Sequence, residues 1–317
     1  MKRVLVTDKV HPLLNEGLER MGMAVVYEPK MPYDEVKLAV GDYTGIIINS
    51  KVICDENFLR TNKHLEFIGR LGSGLDIVDL PVAESLGIAV IRSPEGNANA
   101  VAEHAIGMLL CLVNNIARAN REVSQLSWNR EANRGIELEG RTLGIYGFGY
   151  TGSALANKLQ SWDMNLITYD KYRADIEQDF PYVSQVSLDE LVGSSDILSI
   201  HLPLTHETRG IINEDLLRKC KLGAIIINTS RGPILNSKDL LHHLRTGHIG
   251  AACLDVLENE KMDQLTPDQR EVYSELLGMD QVIATPHVAG WTQESLVKIA
   301  QYLLTKIGAF YGLKPDQ

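Results

Sequence analysis

Along this chain, short apolar runs alternate with longer stretches in which apolar residues recur every three or four positions. The runs read as strands and the periodic stretches as helices. Residues 4–7, 24–27, 45–49, 67–70 and 88–91 are predicted strands, with helices over 11–21, 33–40 and 79–86. The run 45–49, GIIIN, is apolar nearly throughout, as in a strand buried on both faces. Residues 94–100, PEGNANA, read as a loop, and one long helix over about 101–123 suits a connector. A second series of strands then covers 142–146, 165–169, 196–201, 223–228, 251–255 and 282–285. Between them Ser187 opens a capping-box pattern, Asn213 caps a helix running to Lys219, and Ser237 caps one that Gly247 ends. Alternation of this kind implies parallel sheets covered by helices on both faces. A final helix, about 292–311, follows the second series and is expected to return to the first domain. That gives two domains: 1–98 plus 290–317, interrupted by 99–289.

Composition adds limits. The 317 residues suit about two domains. With 44% apolar and 23% charged residues the chain has the make-up of a soluble globular protein. A net charge of −10 argues against a nucleic-acid surface. The four cysteines, Cys54, Cys111, Cys220 and Cys253, are scattered and form no paired motif, which fits a reducing compartment. The apolar run behind Met1 ends at Thr7-Asp8, too soon for a signal peptide, and the apolar stretch 100–113 is too short to span a bilayer. The expected setting is cytoplasmic, with no membrane and no metal.

One stretch carries more information than pattern. Residues 141–170 read RTLGIYGFGYTGSALANKLQSWDMNLITYD: strand, glycine turn, helix, strand, acid. Gly147 lets the chain turn out of the strand, Gly149 lets a pyrophosphate approach the backbone, and Gly152 lets the helix pack close to the strand. The helix start offers free N–H groups and a positive dipole end. Asp170, 21 residues beyond Gly149, is placed to accept from adenosine ribose hydroxyls and to repel a 2′-phosphate. The expectation is a Rossmann dinucleotide-binding domain that takes NAD.

Three polar residues recur just past strand ends, Arg231, Asp255 and His287, and Glu260 lies in the loop after Asp255. Ligands of open α/β sheets bind outside the carboxyl ends of the strands. An imidazole titrates near neutrality and suits proton transfer. A guanidinium fork suits a carboxylate.

With these residues in view, the chain resembles the NAD-dependent D-2-hydroxyacid dehydrogenases. The resemblance rests on residues 142–170, His201-Leu202-Pro203-Leu204-Thr205, Asn228-Thr229-Ser230-Arg231-Gly232, Leu254-Asp255-Val256-Leu257-Glu258-Asn259-Glu260 and Thr285-Pro286-His287-Val288-Ala289-Gly290, in that order and spacing. Gly69-Arg70-Leu71-Gly72-Ser73-Gly74-Leu75-Asp76 and Asn97-Ala98-Asn99-Ala100-Val101-Ala102-Glu103-His104 match as well. Within the family the chain looks most like the short D-3-phosphoglycerate dehydrogenases without a C-terminal regulatory domain. The resemblance implies a Rossmann domain inserted into a flavodoxin-like substrate domain.

It also implies roles. His287 is the acid–base group, Glu260 orients it, and Arg231 holds the substrate carboxylate. Glu260 is followed by Lys261 where the family pattern has proline, so Glu258 and Asp263 stand as alternatives. The cofactor groove is expected to draw on Gly147, Gly149, Tyr150, Thr151, Gly152, Asp170, His201, Pro203, Thr205, Thr229, Ser230, Arg231, Asp255, His287 and Gly290. The substrate side is expected to draw on Arg70, Ser73, Gly74, Asn97, Arg130, Arg231 and His287. Arg70, Arg130 and Arg134 are the candidates for a phosphate clamp, and Glu103-His104 are expected to make buried structural hydrogen bonds at the domain joint rather than to act in catalysis. The implied reaction is oxidation of D-3-phosphoglycerate to 3-phosphohydroxypyruvate, the entry to serine biosynthesis, by a homodimer. The alternatives are reduction of hydroxypyruvate, glyoxylate or another D-2-hydroxyacid's oxo form, and an NAD(H)-sensing regulatory protein with little turnover.

Overall fold

A computed structural model of the chain describes residues 1–313. It divides into two compact units, residues 1–98 with 291–317 and residues 99–290, and the last four residues of the first, 314–317, lie outside those described. Gly290 therefore closes the second unit.

The first unit is built on a five-stranded sheet of β1 (Arg3–Val6), β2 (Ala24–Tyr27), β3 (Gly45–Ile48), β4 (Phe67–Arg70) and β5 (Ala89–Arg92). The order is β2-β1-β3-β4-β5 and every pairing is parallel. This is the flavodoxin-like strand order. All four residues of β3 are buried, as its unbroken apolar run predicts. The closing helix, Gln293–Phe310, is capped by Thr292, whose side chain accepts from the Ser295 N–H. It buries Ala300, Leu303 and Ile307 against Val4, Val6, Leu14 and Leu18.

One expectation fails here. The PEGNANA segment is the start of a helix, Glu95–Val113. Gly96 explains why a loop-like composition folds this way. A Cβ there would lie 2.7 Å from the Ile299 backbone, so glycine permits two helices to touch. Asn99 adds an i,i+4 bond to Glu103 at 3.0 Å. Tertiary packing overrides weak local propensity. The predicted single helix over 101–123 is also two: after Val113 the chain turns through Asn115 in the left-handed region, φ 54°, and a second helix covers Ile116–Ser124.

The second unit holds a seven-stranded parallel sheet: β6 (Thr142–Tyr146), β7 (Asn165–Tyr169), β8 (Val183–Gln185), β9 (Ile197–Ile200), β10 (Ala224–Asn228), β11 (Ile249–Leu254) and β12 (Val282–Ala284). Their order is β12-β11-β10-β9-β6-β7-β8. Counted from β6, this is the doubly wound order 3-2-1-4-5-6 with one strand added at the far edge. Six strands were predicted, and β8 was missed. Strand alternation sorts the core: Ile225 and Ile227 enter the cluster on one face, Ile226 the cluster on the other. Each is buried, and full burial of such a side chain contributes roughly 1.5–3 kcal/mol. The helix Ser237–Arg245 is capped by Asn236, not Ser237, its side chain accepting from Lys238 and Asp239 N–H. Gly247, φ 73°, follows the C-cap as expected. No single helix among the described residues is long and apolar enough to cross a membrane.

Candidate functional site

Because the seven strands are parallel, their carboxyl ends share one edge. The glycine turn leaves β6 there. Gly147 has φ 93°, a conformation closed to most side chains, and a Cβ on it would lie 2.8 Å from the His201 carbonyl oxygen. Gly149 opens the helix Tyr150–Leu159 without any side-chain cap, and a Cβ there would meet nothing within 4 Å. Gly152 sits against the Gly147 carbonyl, 2.3 Å from where its Cβ would stand. An open glycine before an uncapped helix start is a seat for a phosphate group.

Asp170 ends β7. Its Oδ2 accepts from Phe148 N–H at 2.7 Å, and its Oδ1 accepts from Tyr172 and Arg173 N–H at 2.8 and 3.0 Å. The predicted ribose acid thus also holds the glycine turn to its own loop. Past β9, His201 pairs its Nε2 with Ser199 Oγ at 2.8 Å, and burial pushes the imidazole down from 6.5 to about 4. Pro203 and Thr205 lie in the following turn, tied by Thr208, which donates to the Pro203 carbonyl at 2.6 Å. Past β10, Asn228 accepts from Ser230 N–H at 3.1 Å and donates to the Arg231 carbonyl at 3.1 Å. Thr229 beside them is buried, and its hydroxyl has no partner. A buried orphan hydroxyl at this edge fits a dinucleotide that completes it. Together with the glycine turn and Asp170, the residues present suit NAD.

Past β11, Asp255 is 1% exposed. Its carboxylate accepts from Thr285 Oγ1 at 2.6 Å and from Val288 and Ala289 N–H at 2.9 Å each. Thr285 is in turn bonded to His104 Nε2 at 2.9 Å, so the half-buried His104 has a structural partner, whereas Glu103, expected to be buried, is exposed and pairs with Lys158 at 2.8 Å. This network was not visible in sequence, because Thr285 reads there only as a strand end. It fixes residues 285–289, and with them His287. The His287 backbone takes φ 55°, and its N–H donates to the Asp255 and Thr285 carbonyls at 2.8 and 3.0 Å.

The His287 Nδ1 lies 2.9 Å from Glu260 Oε2. Glu258, the first alternative, accepts from Ser237 N–H at 3.0 Å and so supports the start of the preceding helix, Ser237–Arg245, instead. Asp263 lies in a short 3₁₀ turn, Met262–Gln264, beyond the partner already made. Gly232 lets the two loops meet, since a Cβ on it would fall 1.8 Å from the Leu257 carbonyl oxygen.

In the first unit the predicted substrate residues gather past β4. Arg70 Nε donates to the Gly74 carbonyl at 3.1 Å, and its NH1 donates to Asn49 Oδ1 at 3.0 Å and to the Leu71 carbonyl. Arg92 NH1 donates to the Ser73 carbonyl at 2.9 Å. Gly72, φ 121°, turns this loop, and the Asn97 amide lies 3.9 Å from where its Cβ would stand. Arg70 is thus committed to shaping the loop around Ser73 and Gly74. Arg130 is exposed in the second unit, on the segment between the helix Ile116–Ser124 and β6, and Arg134 pairs with Glu131 at 2.8 Å.

Known proteins resemble this chain in sequence and fold. The sequence profile described as D-isomer specific 2-hydroxyacid dehydrogenase, NAD binding domain, matches residues 106–289. The chain is 35% identical over 311 residues to the hydroxypyruvate reductase of Thermotoga maritima, covering 98% of this chain and 99% of that protein. It is 32% identical over 305 residues to the D-3-phosphoglycerate dehydrogenase of Archaeoglobus fulgidus, covering 96% of this chain but 56% of the other, so it spans about half the length of that relative. Among solved structures, the D-lactate dehydrogenase of Aquifex aeolicus complexed with NAD and lactic acid superposes with a TM-score of 0.84 at 28% identity, covering 98% of this chain and 96% of that one.

Proposed function

The chain belongs to the D-isomer specific 2-hydroxyacid dehydrogenase family and carries its NAD-binding domain, and from this we propose that it transfers hydride reversibly at C2 of a small D-2-hydroxy acid. The observation that carries the proposal is the His287–Glu260 pair standing at the same sheet edge as Arg231 and the glycine turn. NAD, when bound, supplies the hydride acceptor, and in its reduced form the donor. The chain's own residues do the rest. Glu260 accepts from His287 Nδ1–H, which fixes the tautomer and leaves Nε2 to take the C2 hydroxyl proton in oxidation and to return it in reduction. Arg231 offers a planar fork to the carboxylate and stabilises charge on the C2 oxygen. Gly149 and the helix behind it hold the pyrophosphate, and Asp170 accepts from the ribose.

Two substrate classes divide on Arg70. The resemblance supports D-3-phosphoglycerate. The bonds of Arg70 to Asn49, Leu71 and Gly74 favour an acid without a phosphate, hydroxypyruvate or glyoxylate in the reducing direction, because they turn three of the guanidinium's five N–H donors toward protein oxygens. Of the two we favour the unphosphorylated acid. The complete set of Arg231, Glu260 and His287 argues against a purely sensing role. The resemblance also supports a homodimer. Leu126 and Trp128, 96% and 84% exposed, offer apolar surface for one, and light scattering of the purified protein checks it.

The test is a turnover panel of 2-oxo acids, with and without phosphate, with NADH and NADPH. We expect hydroxypyruvate or glyoxylate to be reduced with NADH at a kcat/KM about tenfold or more above 3-phosphohydroxypyruvate. We expect His287→Ala to lower turnover roughly a hundredfold or more while NAD still binds. A preference for the phosphorylated acid restores D-3-phosphoglycerate. Dinucleotide binding without turnover of any acid supports the sensing role.

A further inference from the structure

Past Asp170 the chain carries two cations, Lys171 and Arg173. Cations in this loop ordinarily face the ribose side of a bound dinucleotide. Here both are engaged with the protein. Lys171 Nζ binds Glu207 at 2.5 Å. The Arg173 guanidinium lies over the rings of Phe148 and Phe180, 5.5 and 5.1 Å from their centroids, and its NH2 pairs with Asp179 at 2.9 Å. The two rings meet edge to face, 5.0 Å apart, and Phe148 is fully buried. Gln185, on the edge strand β8, donates to the Arg173 carbonyl at 2.8 Å and anchors the loop from below.

Phe148 is the residue between the two glycines of the turn. Its N–H is held by Asp170 at 2.7 Å, and its carbonyl accepts from Arg173 NH1 at 3.2 Å. Two consecutive peptide planes are therefore pinned in a segment that glycine on either side would leave loose. A peptide unit is planar and trans, so its C=O and N–H point opposite ways. Holding the Phe148 carbonyl toward Arg173 aims the Gly149 N–H away from Arg173.

We propose that Arg173 is a positioning residue for the cofactor: by gripping the Phe148 carbonyl it sets the direction of the Gly149 N–H before any dinucleotide arrives. It touches no reacting atom. It lowers the ordering cost of binding at the adenosine and pyrophosphate half, and it is withheld from a 2′-phosphate because Phe148, Phe180 and Asp179 occupy it. The inference rests on the glycine turn being the dinucleotide seat.

Arg173→Met tests it, since methionine keeps apolar bulk against the two rings and removes the donors. The readouts are ADP-ribose and NAD binding by calorimetry, and kcat and KM at varied NADH. We expect both dissociation constants and the KM for NADH to rise about tenfold, with kcat at saturating NADH within about twofold of the parent, because one charge-assisted hydrogen bond serves binding only. Arg173→Lys, which keeps one cationic donor, should recover part of the loss. ADP-ribose binding within about twofold of the parent overturns the proposal, as does a fall in kcat equal to the rise in KM. If Arg173→Met does not fold, Asp179→Asn removes the ion pair that steers the guanidinium: a loss of ADP-ribose affinity of about threefold or more supports the proposal, and none overturns it. A parent protein that binds neither ADP-ribose nor NAD would instead remove the dinucleotide seat itself.

Discussion

His287 and Glu260 stand 2.9 Å apart across 27 residues of sequence, one in the loop after β12 and the other in the loop after β11. Neighbouring parallel strands make that meeting possible, and Gly232 lets the loop after β10 pack on the backbone of Leu257 in the loop that carries Glu260. Glu258, two residues earlier, is turned to the Ser237 N–H.

The pair separates two effects that share a loop. Glu260→Gln should lower kcat roughly tenfold to a hundredfold, the worth of a hydrogen bond to a charged group, with little change in NAD binding. Glu258→Ala should leave kcat near normal and lower stability by about 1 kcal/mol, as loss of a helix-end acceptor does. Steady-state kinetics beside thermal melts check both. The reverse pattern would make Glu258 the partner of the imidazole.

Asp170→Ala removes an acceptor from three backbone N–H groups and, on the proposed reading, from the ribose. The KM for NAD should rise about tenfold or more, and the gain with NADP should be smaller than the loss with NAD, because the turn loosens for both. Kinetics with the two cofactors decide it. Unchanged NAD kinetics would detach Asp170 from the site.

Gly232→Ala has no room. The added carbon would fall 1.8 Å from the Leu257 carbonyl oxygen, and a backbone atom yields only if the loop moves. The variant should lose at least about 1–3 kcal/mol of stability and most of its turnover, since Glu260 travels with that loop. Melting temperature and kcat measured together would show it, and a variant equal to the parent in both would mean the loops do not meet this closely.

His201 makes the fold acid-sensitive. Its imidazole is held down to about 4, below the ordinary 6.5, by burial. Below pH 6.5 the unfolded chain takes up a proton that the folded protein refuses. Stability is therefore complete above that value and falls as the pH drops toward 4. Urea midpoints at pH 7.5 and pH 5 should differ more in the parent than in His201→Gln. Equal differences would place the acid sensitivity in other residues.

Much of this was legible in the chain. Strands β2, β4, β6 and β7 carry the limits their apolar runs predict, because each is a short apolar run bounded by polar or turn-forming residues. The glycine turn and its acid were legible because each position has a steric reason. What escaped was set by partners distant in sequence. The edge strand Val183–Gln185 is three residues long and half exposed, too short to show a period. The helix starting at Glu95 hides behind a loop-like composition that makes sense only with Ile299 against Gly96. Asn236 outcompetes Ser237 as a cap because Ser237 is already inside the first turn and gives its N–H to Glu258. Residue type could not separate Glu258 from Glu260. Nor could it show that Arg70 faces protein oxygens and Arg173 faces rings.

His287 pays for its position with its own backbone. A histidine at φ 55° costs about 1 kcal/mol or more relative to a residue at ease there. Glycine or asparagine in its place should raise the melting temperature while abolishing proton transfer. On the proposed reading, the residue assigned the proton transfer is also one where thermal robustness and turnover pull in opposite directions.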